Sequence, residues 1–573
     1  MSVSPLAYRY AHVATEATTG YFSCEPPDDL DLEDGLDRLR LSPNDTFLHR
    51  YLLGRLRERP LSEKKTLLRS SNPAWAALAA ESLLLHESAE SRHSGEASVS
   101  SGELKRLRDY TPLPFLDLIL RERISGETGL RETWNELFRA NLEEHHPLPH
   151  PDDMELPLPR DIERKLEQAS AQAPSLSELT QVLPPPKRRW ERPPAQHTAA
   201  MALMNLAGSG VLAGPEMRHE ASLSPIGLLR TWNVDILVEL PAFSYTLQGE
   251  ATTWGRGTSL AAARASYAME MVERASAYLS CTPEGIADRL HPLPLIHAGF
   301  AELLASGHAA LHPDQLSPAV PYRGQPLWWT RGTDAAGKAM LVPVQAVGLF
   351  SNLDEPELFL SPGSTGLAAG NTPEEARLSA LLELFERDAE SVMPWKREQC
   401  FTLAIPELQW NAPLAALLTD YARRGIHVWF RDMTTEFGVP CFQSFVSRPD
   451  GTFARGAGAG LSAAGALLSA LTEVPYPYPG GPASAPVPAG LPQKDLRDDR
   501  LFPDYRRESI RDELALLERL LTAHGHSPVY VDLTREDLEL PVVRAIAPGL
   551  ASSADFDRFA SPSPRLFRNA LRG

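Results

Sequence analysis

Apolar residues in the first part of this chain recur at helical spacing, and beyond about residue 215 short extended apolar runs begin to alternate with helical ones. Ser42-Pro43-Asn44-Asp45 reads as a helix start, followed by Phe47, Leu48, Tyr51, Leu52 and Leu53. Asn72-Pro73 starts another, carrying Trp75, Leu78 and Leu83-Leu84-Leu85. The same periodicity predicts helices over 113–123 and 130–142. The polar stretch from Glu87 to Glu103 reads as a mobile loop. Residues 1–182 are therefore expected to form an α-helical domain, with no 34-residue repeat. Pro184-Pro185-Pro186 and Pro193-Pro194 mark 183–214 as a stiff Pro-rich linker.

Over 215–573, strand-like runs are predicted at 232–240, 341–349, 428–430, 442–446 and 528–533, with a helix at 506–524. Interleaved with them is one helix written three times. Ala263-Arg264-Ala265-Ser266 leads to Glu270-Met271-Val272-Glu273-Arg274. Ala376-Arg377-Leu378-Ser379 leads in register to Glu383-Leu384-Phe385-Glu386-Arg387. A weaker third copy keeps Ser469 and Glu473, with Tyr476 where the second Glu would fall. Gly257, Gly370 and Gly460 precede the copies in register, and Ser259, Thr372 and Ser462 follow as helix N-caps. Thr372-Pro373-Glu374-Glu375 adds Pro at the first helical position and a capping-box Glu. Strands and helices around a threefold internal similarity predict a mixed α/β domain.

On the second copy, Glu375, Ser379, Glu383 and Glu386 share one face, and Leu378, Leu381, Leu382, Leu384 and Phe385 make most of the rest apolar. Two glutamates at i, i+3 repel, so an isolated helix gains nothing from them. One reading is a solvated face with Glu270–Arg274 and Glu383–Arg387 pairs. The sharper reading, favoured by two copies in register, is four carboxylates facing each other across a site for a hard cation such as Mg²⁺. Carboxylate-bridged iron is disfavoured, because Glu-x-x-His is missing from these positions.

Composition narrows the function classes. Hydrophobic residues make up 43% of 573, ample for packed cores, and the length suggests two or more domains. A net charge of −18 argues against a general nucleic-acid binder. Cys24, Cys281, Cys400 and Cys441 are too far apart for a zinc ribbon or a redox pair. The first residues lack a signal-peptide pattern and no apolar run of membrane-spanning length occurs, so a cytoplasmic protein without a membrane span is expected. Gly208-Ser209-Gly210 follows a helical pattern and does not read as a dinucleotide loop. His145, His146 and His150 with Asp152 and Asp153 could bind a metal, but read more simply as an exposed loop.

One set of motifs, in this order, resembles the YcaO family over about 215–573. It comprises Gly255-Arg256-Gly257-Thr258-Ser259 before the first Glu-x-x-Glu-Arg and Ser364-Thr365-Gly366-Leu367-Ala368-Ala369-Gly370-Asn371-Thr372 before the second. Ala470-Leu471-Thr472-Glu473 and the closing Asp532-Leu533-Thr534 and Pro541-Val542-Val543-Arg544-Ala545-Ile546-Ala547-Pro548-Gly549-Leu550 complete it. The resemblance implies a YcaO fold of three similar strand–helix units and an enzyme that uses ATP and Mg²⁺ to activate a backbone amide oxygen of a peptide or protein. Products in such a family include azolines, amidines and, with a TfuA-type partner, thioamides, and one branch is linked to methylthiolation. Carried over by motif, Glu270, Glu273, Glu383 and Glu386 would be the catalytic Mg²⁺ ligands. Ser266, Asn371 and Glu375 would contact nucleotide, with Arg256, Arg274, Arg387 and Glu473 around the phosphates. A homodimer is one assembly such a chain could form, and a non-catalytic nucleotide- or peptide-binding scaffold is the alternative reading.

Three departures qualify the resemblance. Arg256 stands where many members have Lys. Pro475-Tyr476-Pro477-Tyr478-Pro479 breaks the helix after Glu473, where members carry a further nucleotide-binding Arg. Azoline-forming members end in Pro-x-Pro-x-Pro, whereas Arg568-Asn569-Ala570-Leu571-Arg572-Gly573 lacks Pro, so a non-azoline reaction and a flexible or helical tail are expected.

Overall fold

The computed structural model describes residues 5–13, 21–86, 98–150, 153, 155–168, 173–220, 222–349, 352–359, 363–404, 412–551 and 556–572. They fall into two compact units, one of 1–128, 233–251 and 274–364, the other of 129–232, 252–273 and 365–573. The units do not divide at 182 and 214, where boundaries were expected. Each is gathered from three separated stretches, and local periodicity holds no record of such gathering. The chain passes between units inside the strands Ile226–Leu240 and Phe243–Gly257 and the helix Leu260–Ala277.

In the first unit, the described residues of 1–128 are mainly helical but open on two strands. Along Leu6–Val13, buried Leu6, Tyr8 and Tyr10 alternate with exposed Ala7 and Arg9. That is the period of a half-buried strand. It pairs antiparallel with Tyr21–Glu25 and parallel with Phe243–Gly257, Leu6 opposite Tyr245. Gly249 permits the second pairing, because a Cβ there would lie 2.3 Å from the Tyr10 carbonyl oxygen. Asp45 accepts from the Leu48 N–H and Asn72 from the Ala74 N–H, so both expected helix starts are found. The helix Pro73–Leu84 is buried on nearly every side and packs against Leu32–Leu41, Thr46–Arg57, Leu61–Leu68 and Ser101–Leu107. Of the stretch read as a loop, residues 87–97 lie outside those described, while Ser100 and Glu103 cap Ser101–Leu107 reciprocally. Only the start of the run expected at 341–349 is strand, Ala339–Pro343, before a 3₁₀ turn at Val344–Ala346. Farther on, Glu355 is fully buried. The Trp328 N–H and the Gln345 amide donate to its carboxylate at 2.6 and 2.7 Å, yet burial pushes its pKa up to about 8.

The second unit holds a five-stranded sheet in the order Phe453–Ala459, Cys441–Ser447, Val428–Asp432, Cys400–Leu403, Gln493–Lys494. It also holds the antiparallel strands Val529–Asp532, Val542–Ile546 and Leu367–Ala369. Leu378, Leu381, Leu384 and Phe385 of the helix Pro373–Val392 share one core with Leu514, Leu517 and Leu521 of Ile510–Ala523 and with Tyr530, Val543 and Ala545. The C-terminal residues form a helix, Pro564–Leu571, whose Phe567 is buried against Trp134 and Phe138. Residues 183–214, expected as a linker, contain the helix Ala195–Gly208. His145 is buried rather than in an exposed loop. Arg455 lies 3.1 Å from its Nε2, and burial with Arg455 and Arg431 nearby lowers its pKa to about 3. Asp152 lies outside the described residues. Among those described, no helix is long and apolar enough to cross a membrane.

Candidate functional site

The site is built on the three similar helices, Leu260–Ala277, Pro373–Val392 and Ala463–Glu473. Ser259, Thr372 and Ser462 each accept from the backbone N–H three residues on, that of Ala262, Glu375 and Gly465. A Cβ on Gly257, Gly370 or Gly460 would lie 2.5, 2.4 or 3.6 Å from the backbone nitrogen of Ala263, Ala376 or Ala466. Two residues earlier, a Cβ on Gly255 or Gly458 would lie 2.1 or 2.4 Å from the carbonyl oxygen of Ala263 or Ala466, where the second copy has Ala368. The copies thus share a docking geometry as well as letters. Each helix lies close against the strand before it, and glycine makes room for its first turns.

On the second helix this docking gathers charge. Glu383 accepts from the Gly366 N–H at 3.2 Å and Glu386 from the Ala459 N–H at 3.1 Å. Burial, then repulsion from Glu473, with Glu390 and Glu383, pushes the Glu386 pKa up to about 8 against the pull of Arg387. Arg387 lies 2.7 Å from Glu390 and 3.5 Å from Glu386. Burial opposes its charge, but Glu390, Glu386, Glu383 and Glu473 outweigh that and hold the guanidinium charged. Arg256 donates to Glu473 at 2.8 Å. The third copy, broken after Glu473 as expected, therefore still delivers its carboxylate to the second copy's Glu386.

Four carboxylates near two guanidiniums leave negative charge in a place partly shut from water. A hard oxygen-seeking cation is what such a donor set lacks, so the residues fit Mg²⁺. Among the described residues, no group of three or more His, Cys, Asp or Glu side chains is close enough to hold a metal by itself. Substrate oxygens would have to complete the coordination, as is usual for Mg²⁺ with phosphates.

Two turns toward the N-terminus of the same helix lies a second polar cluster. The Asn371 N–H and Nδ2 both donate to Glu375 Oε2, at 3.0 and 2.8 Å. The Thr198 hydroxyl donates to Asn371 Oδ1 at 2.9 Å, which fixes the amide's orientation. Arg192 lies 3.5 Å from Glu375 Oε1 and donates to Ser379 Oγ at 2.9 Å.

The first helix carries Ser266, Glu270 and Glu273, all partly buried. It is held by Glu216, which takes Arg264 at 2.9 Å and the Tyr267 hydroxyl at 2.8 Å. Arg377, in register with Arg264, instead stacks 4.8 Å over the Tyr530 ring. Arg274, the next residue of this helix after Glu273, is counted with the first unit. Glu390, Arg192 and Thr198 were not foreseen. Glu390 continues the acidic stripe one turn past Glu386 and was legible, whereas Arg192 and Thr198 reach the site from a distant stretch without a local signal.

A family model described as YcaO cyclodehydratase, ATP- and Mg²⁺-binding, matches residues 254–475 and 482–551, just over half of the chain. The interruption falls on the Pro-rich break after the third helix. An uncharacterized protein in the tfuA 3′ region of Rhizobium leguminosarum bv. trifolii is 27% identical over 374 residues, 59% of this chain and 85% of that protein. An uncharacterized protein of Methanothermobacter thermautotrophicus is 29% identical over 366 residues, 57% of this chain and 91% of that one. Among solved structures, YcaO from Methanopyrus kandleri bound with AMPPCP and Mg²⁺ aligns with a TM-score of 0.45 at 21% identity, covering 65% of this chain and 95% of that one. A heterocyclase in complex with substrate and cofactor aligns with a TM-score of 0.48 at 21% identity, covering 64% of this chain and 54% of that one, so this chain spans about half its length.

Proposed function

This chain belongs to the YcaO family, which binds ATP and Mg²⁺, and from that premise we propose that it uses Mg-ATP to activate a backbone amide of a peptide or protein. The observation that carries the reading is the crowding of Glu386 by Glu473, Glu390 and Glu383, with Arg387 among them. An amide oxygen is a poor leaving group, and bound Mg-ATP would supply the phosphoryl group that lets it depart. Glu383 and Glu386, with Glu270 and Glu273, would hold the metal. Arg387 and Arg256 would offset phosphate charge, and Ser266, Asn371 and Glu375 would orient the nucleotide.

The finer reading is thioamide formation with a TfuA-type partner, in which sulfide replaces the amide oxygen and that oxygen leaves as phosphate. The relative in a tfuA 3′ region supports it. An accessory role in methylthiolation is the next possibility. A non-catalytic scaffold is the alternative, favoured by the Pro-rich break after Glu473. Mass spectrometry of candidate peptides incubated with chain, ATP, sulfide and partner separates these. A gain of about 16 Da per modified amide, the mass of oxygen exchanged for sulfur and coupled to ATP turnover, supports the thioamide reading, while loss of one water at Cys, Ser or Thr without a partner overturns it. ATP binding with neither turnover nor peptide change would favour the scaffold.

A further inference from the structure

The helix Pro373–Val392 carries acids at the end that least favours them. Glu390 lies in the last turn and Glu386 in the turn before, where the helix dipole is negative. The helix stops without a glycine, on an extended Met393 followed by Pro394. The backbone groups left over at that end are taken by side chains from three distant stretches. Asn569 Nδ2 donates to the Val392 carbonyl at 2.9 Å, and Arg431 Nη2 donates to the Met393 and Pro394 carbonyls at 2.6 Å each. Asn141 accepts from the Trp395 N–H and donates to the Trp395 carbonyl, both at 2.9 Å. Arg431 is 2% exposed, and its Nε and Nη1 donate to Gln399 and Gln443 at 3.0 Å. Among the described residues its acceptors are thus all neutral, although burying a cation without a carboxylate is costly. Burial pulls its pKa down to about 10, so it stays charged at neutral pH.

We propose that Arg431 is a positioning residue for the metal site: it holds the end of this helix where the crowded acids meet the metal. This rests on the Mg-ATP reading given above. A side-chain amide could satisfy the same carbonyls, so the buried charge needs its own reason. The helix end supplies one, because the negative end of the dipole and the carboxylate of Glu390 both favour a cation there. The fork of the guanidinium supplies the rest. One nitrogen takes two successive carbonyls while another reaches Gln443, directly opposite Arg431 on the neighbouring strand, so the helix end is fastened to the sheet itself. Glu386, a turn and a half before that anchor, is then set in place before Mg²⁺ arrives, which lowers the ordering cost of binding.

Hydrogen exchange and calorimetry on the full chain test this. Arg431→Gln should speed exchange at the amides of 386–393 in the ligand-free chain, and saturating Mg-ATP should slow it again. The Mg²⁺ concentration needed for half-maximal ATP binding should rise by about tenfold, the lower end for an outer partner of a metal site. Arg431→Lys, which keeps the charge but not the fork, should recover part of both changes. Adding Glu390→Gln to Arg431→Gln should return much of the exchange protection, because the charge least suited to that helix end is gone. Asn569→Ala frees the Val392 carbonyl alone and should show the same two changes at smaller size, so it carries the test if Arg431→Gln does not fold. Faster exchange spread over the whole second unit, with an unchanged Mg²⁺ requirement, makes Arg431 a stability residue only and overturns the proposal. So does unchanged exchange at 386–393, and either result leaves the Mg-ATP reading standing so long as the wild type binds Mg-ATP. A wild type that fails to bind it overturns both.

Discussion

Glu355 in the first unit and Glu386 in the second are both pushed up to about 8, for different reasons. Around Glu355 burial dominates, and two fixed donors, the Trp328 N–H and the Gln345 amide, satisfy the carboxylate. Around Glu386 burial is joined by three other carboxylates, with one guanidinium opposing them. A buried acid with its hydrogen bonds made is a structural element. A buried acid crowded by acids is a place built for a cation the protein does not itself supply. The same displaced pKa thus accompanies satisfied hydrogen bonds in one unit and crowded carboxylates in the other, and only the neighbours tell them apart.

The largest effect expected is at Glu386. Glu386→Gln should lower Mg-dependent ATP affinity by at least about 100-fold, since even outer partners of metal ligands are worth 10- to 100-fold. Its thermal midpoint should hold, because below its raised pKa Glu386 is mostly protonated and a neutral amide of the same shape replaces it. Calorimetry and a melting curve on the same variant read both, and unchanged affinity would leave Glu386 no different in role from Glu355. Glu355→Ala should do the reverse. It should leave ATP affinity unchanged and destabilise by about 2–4 kcal/mol, through a cavity and two stranded donors, as urea unfolding would register.

The pH dependence of stability sharpens the contrast further. Glu355 has a folded pKa near 8, above its ordinary 4.5. Between those values the folded chain keeps a proton that the unfolded chain has released. Its contribution is complete below the lower value and is lost as pH rises toward the upper, by at most about 1.4 kcal/mol per pH unit. Melting curves across that window should show a shallower decline in Glu355→Gln than in wild type, and parallel curves would assign the slope elsewhere. The smallest effect is expected at the helix cap. Thr372→Ala should cost about 1 kcal/mol, with ATP affinity following only as far as the first turn carries Glu375.

Much of the second unit was legible because its signals are local. Ser259, Thr372 and Ser462 cap the helices that their spacing announced. The apolar positions Leu378, Leu381, Leu384 and Phe385 face the core that their period implied. The expected ends of 428–430, 442–446 and 528–533 differ from the strands by a few residues. What escaped depends on distant partners. Arg192 reads as one cation in a Pro-rich stretch until Glu375 and Ser379 are placed beside it. His145 reads as part of an exposed loop until Trp395, Phe445 and Phe453 surround it. Leu6, Tyr8 and Tyr10 do alternate, but in a run so short that its weight comes from Tyr245 and Leu247 on the strand it joins.

That first strand sets a timetable for synthesis. Leu6–Val13 is synthesised about 240 residues before its parallel partner around Tyr245, an interval of roughly ten seconds to a minute at ordinary elongation rates. Through that interval Tyr8 and Tyr10 lie on a strand that lacks its parallel neighbour, with one open backbone edge able to find wrong partners. The hairpin with Tyr21–Glu25 becomes available much sooner and can occupy one edge, but the other edge must wait. Removal of the first thirteen residues would spare the nascent chain that exposure and transfer it to the finished protein, where the strand Phe243–Gly257 would lose its parallel neighbour.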